Sequence, residues 1–331
     1  MKILIITPYH MQPPAPRILK EIEILKEKYE VEIIYPPKNL GVFQRNMFLF
    51  KKVKEIKNSY DKFIVYDLLT LFFIVFLIDK SKVIYEVLDS FPEYYSYKFI
   101  KNSILKKIME VVLKKIEYIL SKYFVKAIIA NSFILSKRLE KYNSKTYFIP
   151  YTSPFEAFEF YNNPDKALAF LYIGLFNKEK GADEILKLAQ VYKDYNFFII
   201  GDIKYNIDKN LKNIVIKGRM DFEKLFDYIN NLSNNYFLVG FSLIKTINKS
   251  YAIQEANKDI DYLSLGIPII GNKREATYNK IKEGAGILID EFNVNLNNKE
   301  KKELSLKAKE IYNKLYSNKF FKNSLLKVVN C

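Results

Sequence analysis

Cysteine is nearly absent from this 331-residue chain, and the single one is the terminal Cys331. That excludes a disulfide framework and any cysteine-based metal site. Histidine is equally scarce, with His10 alone; tryptophan is missing, and glycine is limited to 10 residues. Long hydrophobic runs are lacking too. The longest uncharged one, Leu68 to Ile78, falls well short of the ~20 residues that a bilayer-spanning helix needs, so no transmembrane helix is expected. The chain begins Met1-Lys2-Ile3-Leu4 without a signal-peptide pattern, which makes a cytoplasmic location the expectation. There is no short tandem repeat and no low-complexity tract.

Charge, by contrast, is plentiful and one-sided. Lys and Arg total 53 against 37 acidic residues, a net charge of +16. Such an excess attracts anionic partners: nucleotides, nucleic acid or lipid headgroups. The chain is also rich in Lys, Ile, Asn and Tyr throughout, so compositional drift is an equal explanation of the charge. At this length two domains of similar size are the default.

Strand and helix patterns alternate along both halves. Residues 2–7 read as a strand, followed by a proline-rich loop and a helix of period 3.6 from Arg17 to Lys28. Further strands are expected at Val31–Tyr35, Phe63–Tyr66, Lys82–Val87, Ala127–Ala130 and Thr146–Ile149, with a helix over Leu68–Ile78. Pro150 to Lys166 lacks a period and reads as a linker. Alternation then resumes with strands at Phe170–Ile173, Phe197–Ile200, Asn213–Lys217, Phe237–Ser242, Ile267–Ile270 and Gly286–Ile289. This pattern implies two Rossmann-like parallel sheets. The expected division is an N-terminal domain over 1–152, a linker over 153–166, a second domain over 167–313 and a terminal helix over 314–331.

The most informative run is Asn257-Lys258-Asp259-Ile260-Asp261-Tyr262-Leu263-Ser264-Leu265-Gly266-Ile267-Pro268-Ile269-Ile270. It predicts a short helix, a left-handed stop at Gly266, a proline that prevents continuation and a buried strand. Lys258 and Asp261 share one face near the helix start, where backbone N–H groups and the helix dipole favour a phosphate. The run resembles the donor-binding signature of GT-B fold glycosyltransferases of the group-1 type, in its Lys-x-x-Glu-Tyr-x-x-x-Gly-x-Pro-x-x form, with Asp261 in place of the Glu.

That resemblance implies roles for other residues. Phe170 to Gly181 resembles the family's strand-Gly-Arg-x-x-x-x-Lys-Gly segment, which clamps the donor diphosphate. Gly174 and Lys180 match, and Leu175 stands where the family has Arg, so Lys258 is the expected second cation. Asp261 would accept hydrogen bonds from ribose hydroxyls. Ile253 occupies the spacing of the glutamate that retaining members use, with Glu255 two residues off, so retention and inversion both stay open. Gly201, before Asp202, matches a strand-Gly-Asp turn, and Arg219 follows the strand whose loop holds the base.

The first half is expected to hold the acceptor. His10, in the loop after the first strand, is a candidate general base, or a loop histidine without a role. Arg17 either meets an acceptor phosphate at a helix start or is a surface residue. Glu86 to Glu93 resembles the family's His-Asp-x-x-Pro-Glu segment with Leu88 for the His, making Asp89 the other base candidate or a helix cap. The segment 103–125 is amphipathic: Leu105, Ile108, Met109, Val112, Ile116, Ile119, Leu120 and Tyr123 fall on one face and Lys106, Lys107, Lys114, Lys115 and Lys122 on the other. It reads either as a core helix with a solvated lysine face or as a basic helix docking on anionic lipid.

Taken with the resemblance, the residues imply an α/β protein of the GT-B fold: two Rossmann-like parallel-sheet domains facing across a cleft, with a C-terminal helix returning to the first. The implied activity is metal-independent glycosyl transfer from a nucleoside diphosphate sugar, used as co-substrate, to a hydroxyl of a glycan or lipid-linked acceptor in surface polysaccharide or glycolipid assembly. No metal and no other cofactor is expected. Peripheral contact with the inner face of an anionic membrane is a further expectation. The alternatives are a nucleotide-sugar 2-epimerase or a phosphorylase on the same fold, or a basic nucleic-acid-binding protein. The last is disfavoured, because the lysines are spread along the chain rather than clustered with aromatics.

Overall fold

The computed structural model describes residues 1–9, 16–246 and 249–331. Two compact units are present: Met1–Pro150 with Asn248–Gln254 and Phe321–Cys331, and Tyr151–Ile247 with Glu255–Phe320. Each is built on a six-stranded parallel sheet.

In the first unit the order along the chain is β1 (Lys2–Ile6), α1 (Pro16–Lys26), β2 (Glu30–Ile34), α2 (Val42–Ile56), β3 (Lys62–Tyr66), α3 (Leu68–Ile74), β4 (Val83–Val87), α4 (Phe91–Phe99), α5 (Ser103–Tyr123), β5 (Ala127–Ala130), α6 (Phe133–Glu140) and β6 (Thr146–Phe148). The strands lie in the order β2-β1-β3-β4-β5-β6. Side chains alternate across the sheet as the pleat requires. Leu4, Phe63, Val65 and Tyr85 enter one core with Leu49, Leu71 and Leu120. Ile3, Ile5, Ile64 and Ile84 enter the other. Continuous burial on both faces is why these strands read as unbroken apolar runs.

The second unit contains β7 (Ala167–Ile173), α7 (Ala182–Val191), β8 (Asn196–Ile200), β9 (Ile214–Lys217), α8 (Phe222–Ser233) and β10 (Tyr236–Ser242). The chain then passes through α9 (Lys249–Ile253), which belongs to the first unit, before α10 (Asn257–Ser264), β11 (Ile269–Gly271), α11 (Glu275–Lys280), β12 (Gly286–Leu288) and α12 (Asn298–Leu315). Its sheet order is β12-β11-β10-β7-β8-β9. Residues 151–166 enter this unit; Asn162 is buried, donating to the Leu238 carbonyl at 2.9 Å and accepting the Leu238 N–H at 2.8 Å. The last helix, α13 (Asn318–Val329), returns to the first unit, where Phe321, Leu325, Val328 and Val329 complete the core beneath β1 and α1.

Two elements differ from the sequence expectation. The helix expected over Leu68–Ile78 ends at Ile74 and tightens into a 3-10 turn, Val75–Leu77. More consequentially, α5 buries only part of its apolar stripe, at Ile116 and Leu120. Leu105, Ile108 and Val112 are exposed, while Glu117, Leu120 and Ser121 are buried. The cause is electrostatic: Arg138 on α6 takes the Glu117 carboxylate at 2.9 Å and that of Glu93 at 2.7 Å, and so fixes which side of the helix faces inward.

Candidate functional site

The carboxyl edge of the second sheet is shaped by glycines. Gly174 directly follows β7 and Gly201 directly follows its neighbour β8, with φ of 115° and 133°. A Cβ on Gly201 would lie 2.2 Å from the Gly174 carbonyl oxygen, so no other residue lets the two turns pass this closely. A Cβ on Gly174 would meet nothing within 4 Å. The strand end there faces open space.

Helix α10 is docked on this edge by one tyrosine. The Tyr262 ring lies against Gly240 of β10, where a Cβ would come within 2.5 Å of it. Its hydroxyl accepts the Ile173 N–H at 2.9 Å and donates to the Leu171 carbonyl at 3.3 Å. The helix end is a Schellman motif: Ile267 N donates to Tyr262 O at 2.9 Å and Gly266 N, with Gly266 at φ 65°, to Leu263 O at 3.0 Å. Four residues before Tyr262, on the same face, stands Lys258. Its ammonium lies 4.0 Å from the centroid of the Tyr172 ring, is buried, and forms no hydrogen bond with any described residue. Burial lowers its pKa to about 7; the positive charges of Lys180 and Arg274 push the same way against the attraction of Asp259.

Lys180 is delivered from the other side. The Asn177 side chain accepts its N–H at 3.0 Å, and Gly181, at φ 86°, starts α7 pressed against Leu243. Burial, then the Arg274 charge, lowers the pKa of Lys180. Lys180 and Lys258 are thus near enough for the charge of one to act on the other. The structure adds two groups that sequence reasoning missed. Arg274, buried at the start of α11, reaches Asp259 at 3.1 Å, and Thr277 donates to the same carboxylate oxygen at 2.9 Å. Burial alone would raise the pKa of Asp259, but Arg274 and Lys280 outweigh it and hold the carboxyl below its usual range. Lys280 in turn pairs with Glu255. Four cations, Lys180, Lys258, Arg274 and Lys280, face the carboxylates of Asp259 and Glu255, with exposed Glu179 also acting on Lys180. Positive charge therefore outweighs negative charge at this edge.

The remaining donor-side candidates are arranged differently. Asp261 turns toward the segment that enters the unit: one oxygen accepts from Ser153 at 2.8 Å and Tyr151 at 3.4 Å. Burial raises its pKa to about 7 against those two hydrogen bonds. Arg219 is exposed at the end of edge strand β9. Leu175, at the position where the family resemblance implies an arginine, is exposed, and its carbonyl accepts from the Tyr172 hydroxyl at 2.6 Å.

In the first unit, Asp89 is exposed at the exit of β4. Beside it at the exit of β3 stands Asp67, with φ 75°, the one positive-φ non-glycine among the described residues. Its carboxylate caps α3 through the Leu69 N–H at 3.0 Å, and burial, with help from the Asp89 charge, raises its pKa to about 6. Burial and then the charges of Asp67 and Asp89 push the Tyr9 phenol well up. Asp67 is not legible in the sequence, since an aspartate before a helix reads as an ordinary cap and its strained backbone has no sequence signal. Arg17 is engaged internally: it reaches Glu86 at 2.7 Å, Glu21 at 3.0 Å and the Ile149 carbonyl at 2.9 Å. His10 lies outside the described residues.

No family model matches the chain, and no curated protein matches it in sequence. Its architecture does have relatives among solved structures. Sucrose-phosphate synthase from Thermosynechococcus elongatus matches with a TM-score of 0.69 at 14% identity, covering 99% of this chain and 98% of that one. Anabaena HepE in complex with UDP-glucose matches at 0.62 and 14%, covering 100% and 99%. A glycosyltransferase from Rickettsia africae matches at 0.61 and 13%, covering 99% and 97%. At such identities the likeness is one of fold, and the fold is that of the GT-B glycosyltransferases over the whole chain.

Proposed function

We propose that this protein is a glycosyltransferase that moves a sugar from a nucleoside diphosphate sugar to an acceptor hydroxyl. The observation that carries the reading is the Lys258 ammonium, buried without a hydrogen bond beside Lys180 and Arg274 at the sheet's carboxyl edge. A buried cation in that state is costly unless an anion completes it. The carboxyl edge of an open α/β sheet is where ligands of such folds bind. A pyrophosphate here would place its charge against these cations, and they would oppose the charge that develops as the sugar–phosphate bond breaks. HepE, on the same fold, binds UDP-glucose, which supports a uridine or similar nucleotide as the donor's carrier. Asp261, steadied by Ser153 and Tyr151, has a second oxygen for a ribose hydroxyl. Gly174 leaves room for the donor, Gly201 lets its turn pass close to that of Gly174, and Arg219 would face the base.

The reaction needs no metal in this reading, because the cations supply the charge. The first unit supplies the acceptor side, with Asp89 or His10 as general base and Arg17 as an acceptor-side residue held by Glu21 and Glu86. The acceptor is a glycan or lipid-linked hydroxyl in surface polysaccharide or glycolipid assembly. The protein works in the cytoplasm, peripherally on the inner face of an anionic membrane, a placement supported by its net charge of +16.

A thermal-shift screen of nucleoside diphosphates and their sugars tests the donor site. At a concentration of about 100 times Kd, binding stabilises the wild type by ~2.7 kcal/mol, and Lys258→Ala should lose most of that response. A wild type indifferent to every diphosphate would overturn the reading.

A further inference from the structure

The orientation of α5 points to a lipid-facing surface. Polar groups hold the inner side of this helix: Glu117 pairs with Arg138, and Lys114 bridges Glu93 and Glu110 at 2.8 Å each. Lys249 of α9 adds a second partner to Glu110 at 3.2 Å. These pairs fix the rotation of the helix about its axis, so the outward position of the apolar stripe is built in. Ile104 is 68% exposed, and Leu105, Ile108, Val111 and Val112 are exposed along the same side.

The stripe continues onto neighbouring elements. α3 packs beside α5 and leaves Phe72 open, and the 3-10 turn after it leaves Phe76 65% exposed. α2 packs on α3 and shows Phe43, 66% exposed, whose ring meets Phe73 edge-on at 5.6 Å. α4, packed on α5, ends in the exposed Phe99. Together they form an apolar patch, rich in phenylalanine, of a kind that monomeric surfaces rarely leave bare.

Charge identifies what covers it. Between residues 97 and 123 every exposed charged side chain is a lysine: Lys98, Lys101, Lys107, Lys115 and Lys122. The two acids of that stretch, Glu110 and Glu117, are turned into ion pairs. A second copy of the chain would bring the same lysines, and the same net +16, against them. An anionic bilayer surface matches both the apolar stripe and the flanking cations.

We propose that the exposed faces of α5, α3 and the start of α2 form a docking surface that inserts into the headgroup boundary of an anionic membrane. The inference deepens the peripheral-membrane part of the proposed function and rests on it, but not on the donor chemistry. In this geometry the apolar stripe enters the lipid and the lysines flank it.

Cosedimentation of the full chain with vesicles tests this, using phosphatidylcholine alone and phosphatidylcholine with roughly 30% phosphatidylglycerol. Wild type is expected to bind the mixed vesicles, and Ile108→Glu with Val112→Glu to weaken binding by at least about tenfold. Both residues are exposed, so the thermal midpoint should not move. Because the chain has no tryptophan, Ile108→Trp gives a single fluorophore whose emission should shift to the blue on mixed vesicles. Leu306→Trp, exposed on the second unit, should not shift. Wild type that ignores mixed vesicles, or a double glutamate variant that binds as well as wild type, would overturn the surface. So would dimerisation in place of vesicle binding, abolished by the same variant. UDP titration of the same samples without vesicles reports separately on the donor site.

Discussion

Lys258 is the residue on which most depends, and its environment gives two expectations. Its pKa in the unliganded protein is lowered to about 7, first by burial. A diphosphate held against the ammonium favours its charged form and raises that pKa. Between about pH 7 and the bound-state value a proton is therefore taken up on binding, and affinity falls as pH rises, by at most about tenfold per pH unit for one proton. Calorimetry at pH 8 in buffers of different ionisation enthalpy measures the uptake directly; no dependence on buffer would contradict the placement. The second expectation concerns stability. Lys258→Met removes a cation held from water without a hydrogen bond, and should stabilise the unliganded protein by about 1 kcal/mol. The Tyr172 ring at 4.0 Å offsets part of the burial cost in the wild type and keeps the gain modest. Lys258 and Lys180 stood out in the sequence through the family resemblance, which the nearby glycines place in register. Arg274 and Asp259 were not, since a salt bridge that closes only when α11 meets α10 leaves no local pattern.

At the level of elements, α10 was the clearest in the sequence, down to its left-handed stop at Gly266, because cap, proline and following strand are all local signals. What holds it in place was not legible. Gly240 lies in an otherwise apolar strand, and only the structure shows that it makes room for the Tyr262 ring. Gly240→Ala should destabilise the protein by ~2 kcal/mol and weaken diphosphate binding, because Tyr262 sets the position of Lys258. Urea denaturation with and without UDP checks both effects; a fully stable variant with normal binding would show that the ring contact does not position the helix. Helix α5 teaches the opposite lesson. Its period was legible, but which face turns inward was not, because buried ion pairs with Arg138 and Glu93 overrode the hydrophobic stripe. Arg138→Ala leaves Glu117 buried and unpaired, and should cost ~3–5 kcal/mol in the same denaturation experiment.

Across the whole molecule, alternation of strands and helices was enough to read two parallel sheets, since strands buried on both faces stand out as apolar runs between helical stretches. The return of the chain to the first unit through α13 was legible only through the family resemblance; the apolar residues that enter the core beneath α1 carry no mark of their destination. The GT-B fold is shared with solved glycosyltransferases at 13–14% identity, so sequence similarity carries little of the functional reading and the charge arrangement at the second sheet's edge carries most. Isothermal titration of UDP and UDP-glucose into wild type and into Lys258→Met, in matched buffers, tests that arrangement most directly. Saturable binding to wild type that the substitution removes is the expected result. Equal binding to both proteins, or none to wild type at millimolar ligand, would contradict it.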